Sequence, residues 1–405
     1  MPLIAQLAWL VFYCWLAAGA LTLLALLRLR PLKPAGAHAG PGRSPFVSIL
    51  VPARNEERRV LAGSVRSMLA QDYGRFEVVA VNDRSTDATG LILRSLAAED
   101  ARLHVIEGGE PPEGWLGKPN ALRQALAASQ GEWVLATDAD MIFHPAALRT
   151  AVGRALSLGL DAFTIFPDFQ AHTFWERVFI PIWGWSMLVL FPLDLVNHPK
   201  VPLAAGIGGF FLMRREALER IGGFGAVRDE VLDDFRLAAA LKRSGALIRA
   251  EPAPALAWTR MYSGFRGLWE SATKNWFSAV GFSPALGALT LLWTLAVGVL
   301  PPLAGLACAA LVLAGVSGEP ARQLLAPTLG VWAVQAAIVG VMNRRAGVPV
   351  VYGLTAPLGF ALTCAVLSYS AFGVLSGRGL EWRGRRFYER GGVRPPRGRA
   401  QAGRR

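Results

Sequence analysis

Charge is what this sequence has little of. Only 18% of its 405 residues are charged while 53% are hydrophobic, and the mean hydropathy is +0.36. That balance excludes an ordinary water-soluble enzyme and a largely disordered chain, and it points to membrane spans. Cysteine is scarce too. Cys14, Cys308 and Cys364 each sit inside a long apolar run, which matches no zinc-ligand spacing and no disulfide framework. His104, His144, His172 and His198 share no spacing, and each is read as structural. The net charge of +13 looks like a grip on nucleic acid until it is located. From Arg378 onward ten arginines face only Glu381 and Glu389, and with Trp382, Phe387 and Tyr388 among them this tail fits an anionic membrane surface; no nucleic-acid partner is expected.

The apolar runs carry no Asp, Glu, Lys or Arg. Leu3 to Leu27 is one such run; as a helix it spans roughly 37 Å, enough for a hydrocarbon core of about 30 Å. Arg28, Arg30 and Lys33 follow it, which by the positive-inside rule predicts an uncleaved anchor with residue 28 onward in the cytoplasm. Phe277 to Gly318 is a second uncharged zone, too long for one crossing and interrupted by Pro301-Pro302, so it is read as two helices. Leu324 to Met342 and Val348 to Leu375 follow. Four C-terminal crossings return the basic tail to the cytoplasm, although the Arg344-Arg345 loop prefers an odd count. Transporters and channels need ionisable groups inside the bilayer, so the helices read as an anchor.

Between the spans the pattern changes. Phe46–Val51, Glu77–Val81 and Trp133–Thr137 are strand-like, and a helical stretch runs from Glu56 to Ala70. Alternating strands and helices predict a mostly parallel sheet covered on both faces, with ligands at the carboxyl ends of the strands. Polar clusters fall at those ends: Asn55-Glu56, Asp83, and Asp138-Ala139-Asp140. One acidic strand end is usually a helix cap; three on one edge make a site. An Asp-x-Asp pair there suits Mg²⁺ or Mn²⁺, with a diphosphate supplying further oxygens. Val178 to Leu193, apolar and bearing Trp183 and Trp185, is short for a span and suits an interfacial element. Ala205-Gly-Ile-Gly-Gly209 offers a close-approach backbone for a sugar or acceptor pocket. The expected organisation is an anchor at 1–33, a linker at 34–45, a catalytic domain at 46–276, about four helices at 277–375 and a basic cytoplasmic tail at 376–405.

In order and spacing, Val51-Pro-Ala-Arg-Asn-Glu-Glu57, Val81-Asn-Asp-Arg-Ser-Thr-Asp87, Gly114-Trp-Leu-Gly-Lys118, Thr137-Asp-Ala-Asp140 and Leu232-Asp-Asp-Phe235 resemble the family 2 glycosyltransferases. Gly114–Lys118, Thr259–Tyr262 and Lys274-Asn275 look most like the membrane-bound branch with the hopanoid-associated and carotenoid (diaponeurosporenoate-type) enzymes. The resemblance implies an α/β GT-A fold and transfer of a sugar from a nucleotide-diphospho-sugar, UDP-linked, to a membrane lipid. It implies that Pro52, Asn55, Glu56, Asp83, Lys118 and Asp138 bind the nucleotide sugar, with Glu56 and Asp83 facing the nucleoside and Lys118 against the diphosphate, and that Asp140 with Asp138 holds Mg²⁺ or Mn²⁺. Asp234, at the start of a helix read over Asp233 to Arg243, is then the base, beside Asp233 where the family commonly has Glu. The expected setting is a multi-pass protein of the cell membrane with its catalytic domain in the cytoplasm. Two alternatives stand beside this reading. A processive polysaccharide synthase is disfavoured because no Gln-x-x-Arg-Trp lies between Glu251 and Val280, where Arg260, Lys274 and Trp276 match it only loosely. A non-catalytic scaffold explains the helices but not three acidic strand ends together with Lys118 and Asp234.

Overall fold

The computed structural model describes residues 3–36, 44–57, 60–382 and 385–387. The chain divides into two units. One holds Arg30–Gln170, Phe191–Met261 and Glu381–Arg405; the other holds Met1–Leu29, Ala171–Leu190 and Tyr262–Leu380. Residues 171–190 and 262–276, which the sequence reading assigned to the catalytic domain, therefore pack with the apolar helices.

The first unit is built on strands β1 (Val47–Ala53), β2 (Phe76–Asn82), β3 (Leu103–Glu107), β4 (Trp133–Ala136), β5 (Met141–Phe143), β6 (Ala162–Phe166), β7 (Asp168–Phe169), β8 (Phe211–Arg214), β9 (Ile248–Pro252) and β10 (Ala257–Thr259). Seven of them form one sheet in the order β3-β2-β1-β4-β8-β6-β9, and β5-β10-β7 form a smaller one. β1 pairs in parallel with β2 and β4, while β8 runs antiparallel to β4 and β6. The sheet is thus mixed at its centre. β1 is buried almost throughout because both faces are covered, which is why it reads as a continuous apolar run. Ile49 and Val51 pack with Val65, Met68 and Leu93 on one face. Leu50 packs with Leu122, Leu237 and Leu241 on the other. Burying one such leucine is worth about 2 kcal/mol, so each covering helix is held by its apolar stripe. The helices Gly117–Ala128 and Asp233–Arg243 share that second face.

The helix expected from Glu56 begins only at Leu61. The preceding backbone is engaged elsewhere: Asn55 adopts φ 51, and the Asn55 and Glu56 N–H groups donate to Ser85 Oγ and Thr89 Oγ1 at 3.1 and 2.7 Å. The left-handed backbone at Asn55 turns the chain off a helical path, and the Ser85 and Thr89 hydroxyls hold the loop there.

In the second unit, four helices among the described residues are long and apolar enough to cross a membrane: Leu3–Arg28, Pro284–Leu313, Glu319–Arg345 and Val350–Leu375. One is N-terminal and three are C-terminal, where about four C-terminal crossings were expected. The correction lies at Pro301-Pro302. Proline lacks an N–H and should break the helix there, yet Pro284–Leu313 is a single helical run with a π-helical turn at Leu295–Val299. The carbonyls that the two prolines leave without helical donors belong to Val297 and Gly298. Trp15 Nε1 donates to Val297 O at 2.8 Å and Gln335 Nε2 to Gly298 O at 3.1 Å. Side chains from two other helices thus replace the missing bonds, as carbonyls in apolar surroundings require.

Phe174–Leu190 is one 17-residue helix with Pro181 inside it. Its buried Glu176 accepts from the N–H groups of His172, Thr173 and Gly264, at 2.7, 3.2 and 2.6 Å, and so ties its start to that of Gly264–Ala279. The arginine-rich tail after Phe387 lies outside the described residues.

Candidate active site

The carboxyl ends of β1, β2 and β4 and the beginning of the antiparallel β8 meet on one edge of the large sheet. Two groups of side chains gather there.

The first group surrounds the loops after β1 and β2. Pro52 lies in β1, opposite Val81. Asn55 Oδ1 accepts from Thr86 N–H at 2.9 Å and fastens the two loops together; asparagine tolerates the left-handed backbone this demands. Asp83 is 4% exposed. Its Oδ1 accepts from Arg84 Nη2 at 2.9 Å, and Arg54 Nη1 donates to its carbonyl at 2.7 Å. Burial pushes the Asp83 carboxyl above its ordinary value, and Arg84 and Arg54 pull it back in part. Arg84 also pairs with Glu110. Glu56 is buried in the same clasp.

The second group is a tight charge cluster. Lys118 stands in the first turn of the Gly117–Ala128 helix, with Nζ 2.8 Å from Asp138 Oδ1 and 3.8 Å from Asp233 Oδ2. Burial disfavours its ammonium, but Asp138, Asp233 and Asp234 outweigh that and hold it above the usual lysine range. Asp233 and Asp234 open the Asp233–Arg243 helix, as expected. Asp234 Oδ2 accepts from Gly208 N–H and Oδ1 from Phe235 N–H, both at 2.8 Å. Burial and the neighbouring Asp233 nonetheless raise its pKa to about 6, with Lys118 and the two N–H groups opposing. Thr137 Oγ1 donates to Gly209 O at 2.7 Å and ties the end of β4 to the glycine segment. A Cβ at Gly208 would lie 2.8 Å from Lys118 Nζ and 3.2 Å from Asp234 Oδ2, so a side chain here would push the lysine end out of the cluster. Lys118, Thr137, Gly208, Phe224, Asp233 and Asp234 line one cavity.

Lys118, Asp138, Asp233 and Asp234, widely separated in sequence, are therefore adjacent in space. Asp140 lies partly buried just before β5. Pro52, Asn55, Glu56 and Asp83 form the neighbouring group on the same edge. Sequence reasoning missed the bond from Gly208 to Asp234 and the two arginines on Asp83. The Ala205–Gly209 run signalled a close approach, but its partner lies 26 residues further on.

Residues 48–222 match the family model described as glycosyl transferase family 2. A beta-monoglucosyldiacylglycerol synthase of Nostoc sp. is 32% identical over 211 residues, covering 48% of this chain and 41% of that protein. A 4,4'-diaponeurosporenoate glycosyltransferase of Staphylococcus aureus is 25% identical over 252 residues, covering 61% and 65%. The chain spans less than half the length of the monoglucosyldiacylglycerol synthases it matches. Among solved structures, the mannosyltransferase PcManGT of Pyrobaculum calidifontis, in complex with GDP-Man and Mn²⁺, aligns at a TM-score of 0.53 with 20% identity, covering 92% of this chain and 99% of that one. The fold is GT-A, and the segment that matches the family 2 glycosyltransferase model, residues 48–222, holds every expected site residue except Asp233 and Asp234.

Proposed function

We propose that the protein is a membrane-bound, inverting, metal-dependent glycosyltransferase that moves a sugar from a nucleotide-diphospho-sugar to the hydroxyl or carboxylate of a membrane lipid, with its catalytic unit on the cytoplasmic side. The observation that carries this reading is the Lys118–Asp138–Asp233–Asp234 cluster at the carboxyl edge of the sheet, with Asp234 fixed by the Gly208 amide. Relatives named for diacylglycerol and diaponeurosporenoate products support a lipid acceptor.

Each group has a task in that reaction. The clasped loops with Asp83 and Glu56 receive the nucleoside. Lys118, at a helix N-terminus, meets the diphosphate, where both the ammonium and the backbone N–H groups favour negative charge. Among the described residues no group of three His, Cys, Asp or Glu could hold a metal ion. Mg²⁺ sites at phosphates commonly use one or two carboxylates with the rest of the shell from substrate oxygens and water. Asp138 and Asp140 fit that pattern, and the ammonium already held by Asp138 indicates a place where positive charge is welcome. Bound there, the metal would neutralise the departing diphosphate.

Asp234 acts as the base. Each of its oxygens takes one N–H, which leaves a lone pair on each for the acceptor. With a hydroxyl acceptor the O–H proton passes to Asp234, the acceptor oxygen bonds to the anomeric carbon, and the bond to the diphosphate breaks, with the electron pair leaving on the nucleoside diphosphate; a carboxylate acceptor brings no proton and attacks without the base. A base with a pKa of about 6 is ionised at neutral pH yet basic enough to share the proton. The test is to incubate membranes containing the protein with UDP- and GDP-hexoses and vesicles of diacylglycerol or a polyisoprenoid alcohol or acid. A new glycolipid mass with one donor class supports the reading; hydrolysis of donor without any lipid product contradicts it.

A further inference from the structure

Contacts within the apolar unit fix the level of each helix against its neighbours. Glycine contacts give the first rungs. A Cβ at Gly330 would meet the Phe12 ring, and one at Gly19 would meet Val334 and Ile338. Arg345 Nη2 donates to Leu26 O at 3.0 Å. Leu3–Arg28 and Glu319–Arg345 thus run parallel, with Arg28 and Arg345 at one end. Pro284–Leu313 runs against both: Trp15 reaches Val297, Gln335 reaches Gly298, and Gly305 faces Thr328 and Leu329. Pro284 lies at the Arg28 end; Leu313 and Glu319 lie at the other.

The last apolar segment does not follow this pattern. After Arg345 the chain climbs back beside the helix it has just left. Val350 O faces Gly340, Gly353 abuts the Ala336 carbonyl, and Trp332 Nε1 donates to Leu354 O at 2.9 Å. It rises no further. Trp332 is still about 20 Å of helix from Glu319, so the turn at Leu354 comes near the middle of the neighbouring helix. The helix Ala356–Leu375 then descends. Phe360 packs on Gly298. Ten residues on, Ser370 Oγ donates to Thr273 O at 2.5 Å and accepts from Phe277 N–H at 3.2 Å, and Phe277 abuts Gly287. Leu375 therefore returns to the end that holds Pro284, Arg28 and Arg345.

We propose that residues 346–375 are a re-entrant hairpin inserted into one leaflet only, so that the chain crosses three times and carries everything after Leu375 on the side of Arg28 and Arg345. The occupant of its outer face is that leaflet. Val350, Val351 and Leu354 at the turn are 59%, 61% and 57% exposed, an apolar tip suited to acyl chains and to nothing in water. Tyr352, Phe174, Trp175, Phe265, Trp269 and Tyr369 form a chain of ring contacts at 5.1–5.9 Å, and Arg177 lies over the Tyr352 ring at 5.5 Å. The chain links the turn at Tyr352 to Tyr369, near the returning end of the descending helix, and packs the hairpin against the Phe174–Leu190 and Gly264–Ala279 helices. Charge agrees: a hairpin keeps Arg28, Arg344-Arg345 and the arginines after Leu375 on one side, whereas a full crossing would divide them.

This inference rests on the membrane reading of the apolar helices and not on the catalytic site. The experiment is sidedness labelling in intact cells and inverted vesicles with a membrane-impermeant maleimide. Cys14, Cys308 and Cys364 are first replaced by Ala, and Ser317→Cys, Ala346→Cys and Ser376→Cys are then made singly. The hairpin predicts that the Ala346→Cys and Ser376→Cys proteins label from the same side and the Ser317→Cys protein from the opposite one. Labelling of the Ser376→Cys and Ala346→Cys proteins from opposite sides overturns the proposal, and so does labelling of all three from one side. Alkaline phosphatase fused after residues 317, 346 and 376 gives the same reading without relying on the cysteine variants to fold. Transfer activity of the parent protein is measured separately, so a failed topology leaves the enzymatic reading standing and a failed activity leaves the topology standing.

Discussion

The Gly208 amide donates to the Asp234 carboxylate at 2.8 Å, joining the glycine segment before β8 to the first turn of the Asp233–Arg243 helix. It holds the proposed base while burial and Asp233 raise the Asp234 pKa to about 6. A base works only when deprotonated, so turnover should fall as pH drops through about 6 and level off above it. A kcat profile measured with saturating donor and acceptor checks this; a flat profile from pH 5 to pH 8 would show that another group takes the proton.

Lys118 opposes that rise from close by. Lys118→Met removes a positive charge from beside three carboxylates, which should lift the acid limb of the profile by about one unit or more and weaken donor binding. The variant's pH profile and its donor KM are the measurements. An unchanged acid limb would separate Lys118 from Asp234.

Two carboxylates facing a diphosphate repel it unless a cation intervenes. Chelation should abolish transfer, Mg²⁺ or Mn²⁺ should restore it, and Asp140→Asn should raise the metal concentration needed for half-maximal activity by at least about tenfold, the loss expected when a charged ligand is removed. Metal titrations of wild type and variant give the answer.

The proline-freed carbonyls make a prediction for the apolar unit. Gln335→Leu keeps the volume but leaves Gly298 O without its donor, which should cost about 1–2 kcal/mol. Thermal unfolding of the purified protein in detergent should show a lower midpoint, and Trp15→Phe should do the same through Val297.

What was legible in the sequence follows from physics that acts over short range. Runs such as Phe46–Val51 marked strands because both faces are buried, and Asp233–Arg243 matched its helix to the residue. Pro301-Pro302 misled, because a proline pair reads as a break unless donors arrive from elsewhere, and Trp15 stands 282 residues from its acceptor. The helix expected from Glu56 failed for a similar reason, the left-handed Asn55 before it being held by partners on another loop, Ser85 and Thr86. In the site, acidic strand ends and Lys118 could be named, since each carries its own chemistry. The Gly208 amide carries none until the fold brings Asp234 to it. Apolar length showed that Val350–Leu375 can enter a bilayer; only its contacts with Trp332 and Gly298 give its direction.

The central claim is that Asp234 is the base of a sugar transfer to lipid, and Asp234→Asn tests it most directly. Asparagine keeps the size and the helix start but cannot take the proton. Glycolipid formation by the purified variant should fall by at least about 10², the lower range for general-base catalysis, while titration calorimetry shows nucleotide-sugar binding at wild-type affinity. Transfer at near wild-type rate by the Asn variant would contradict the account.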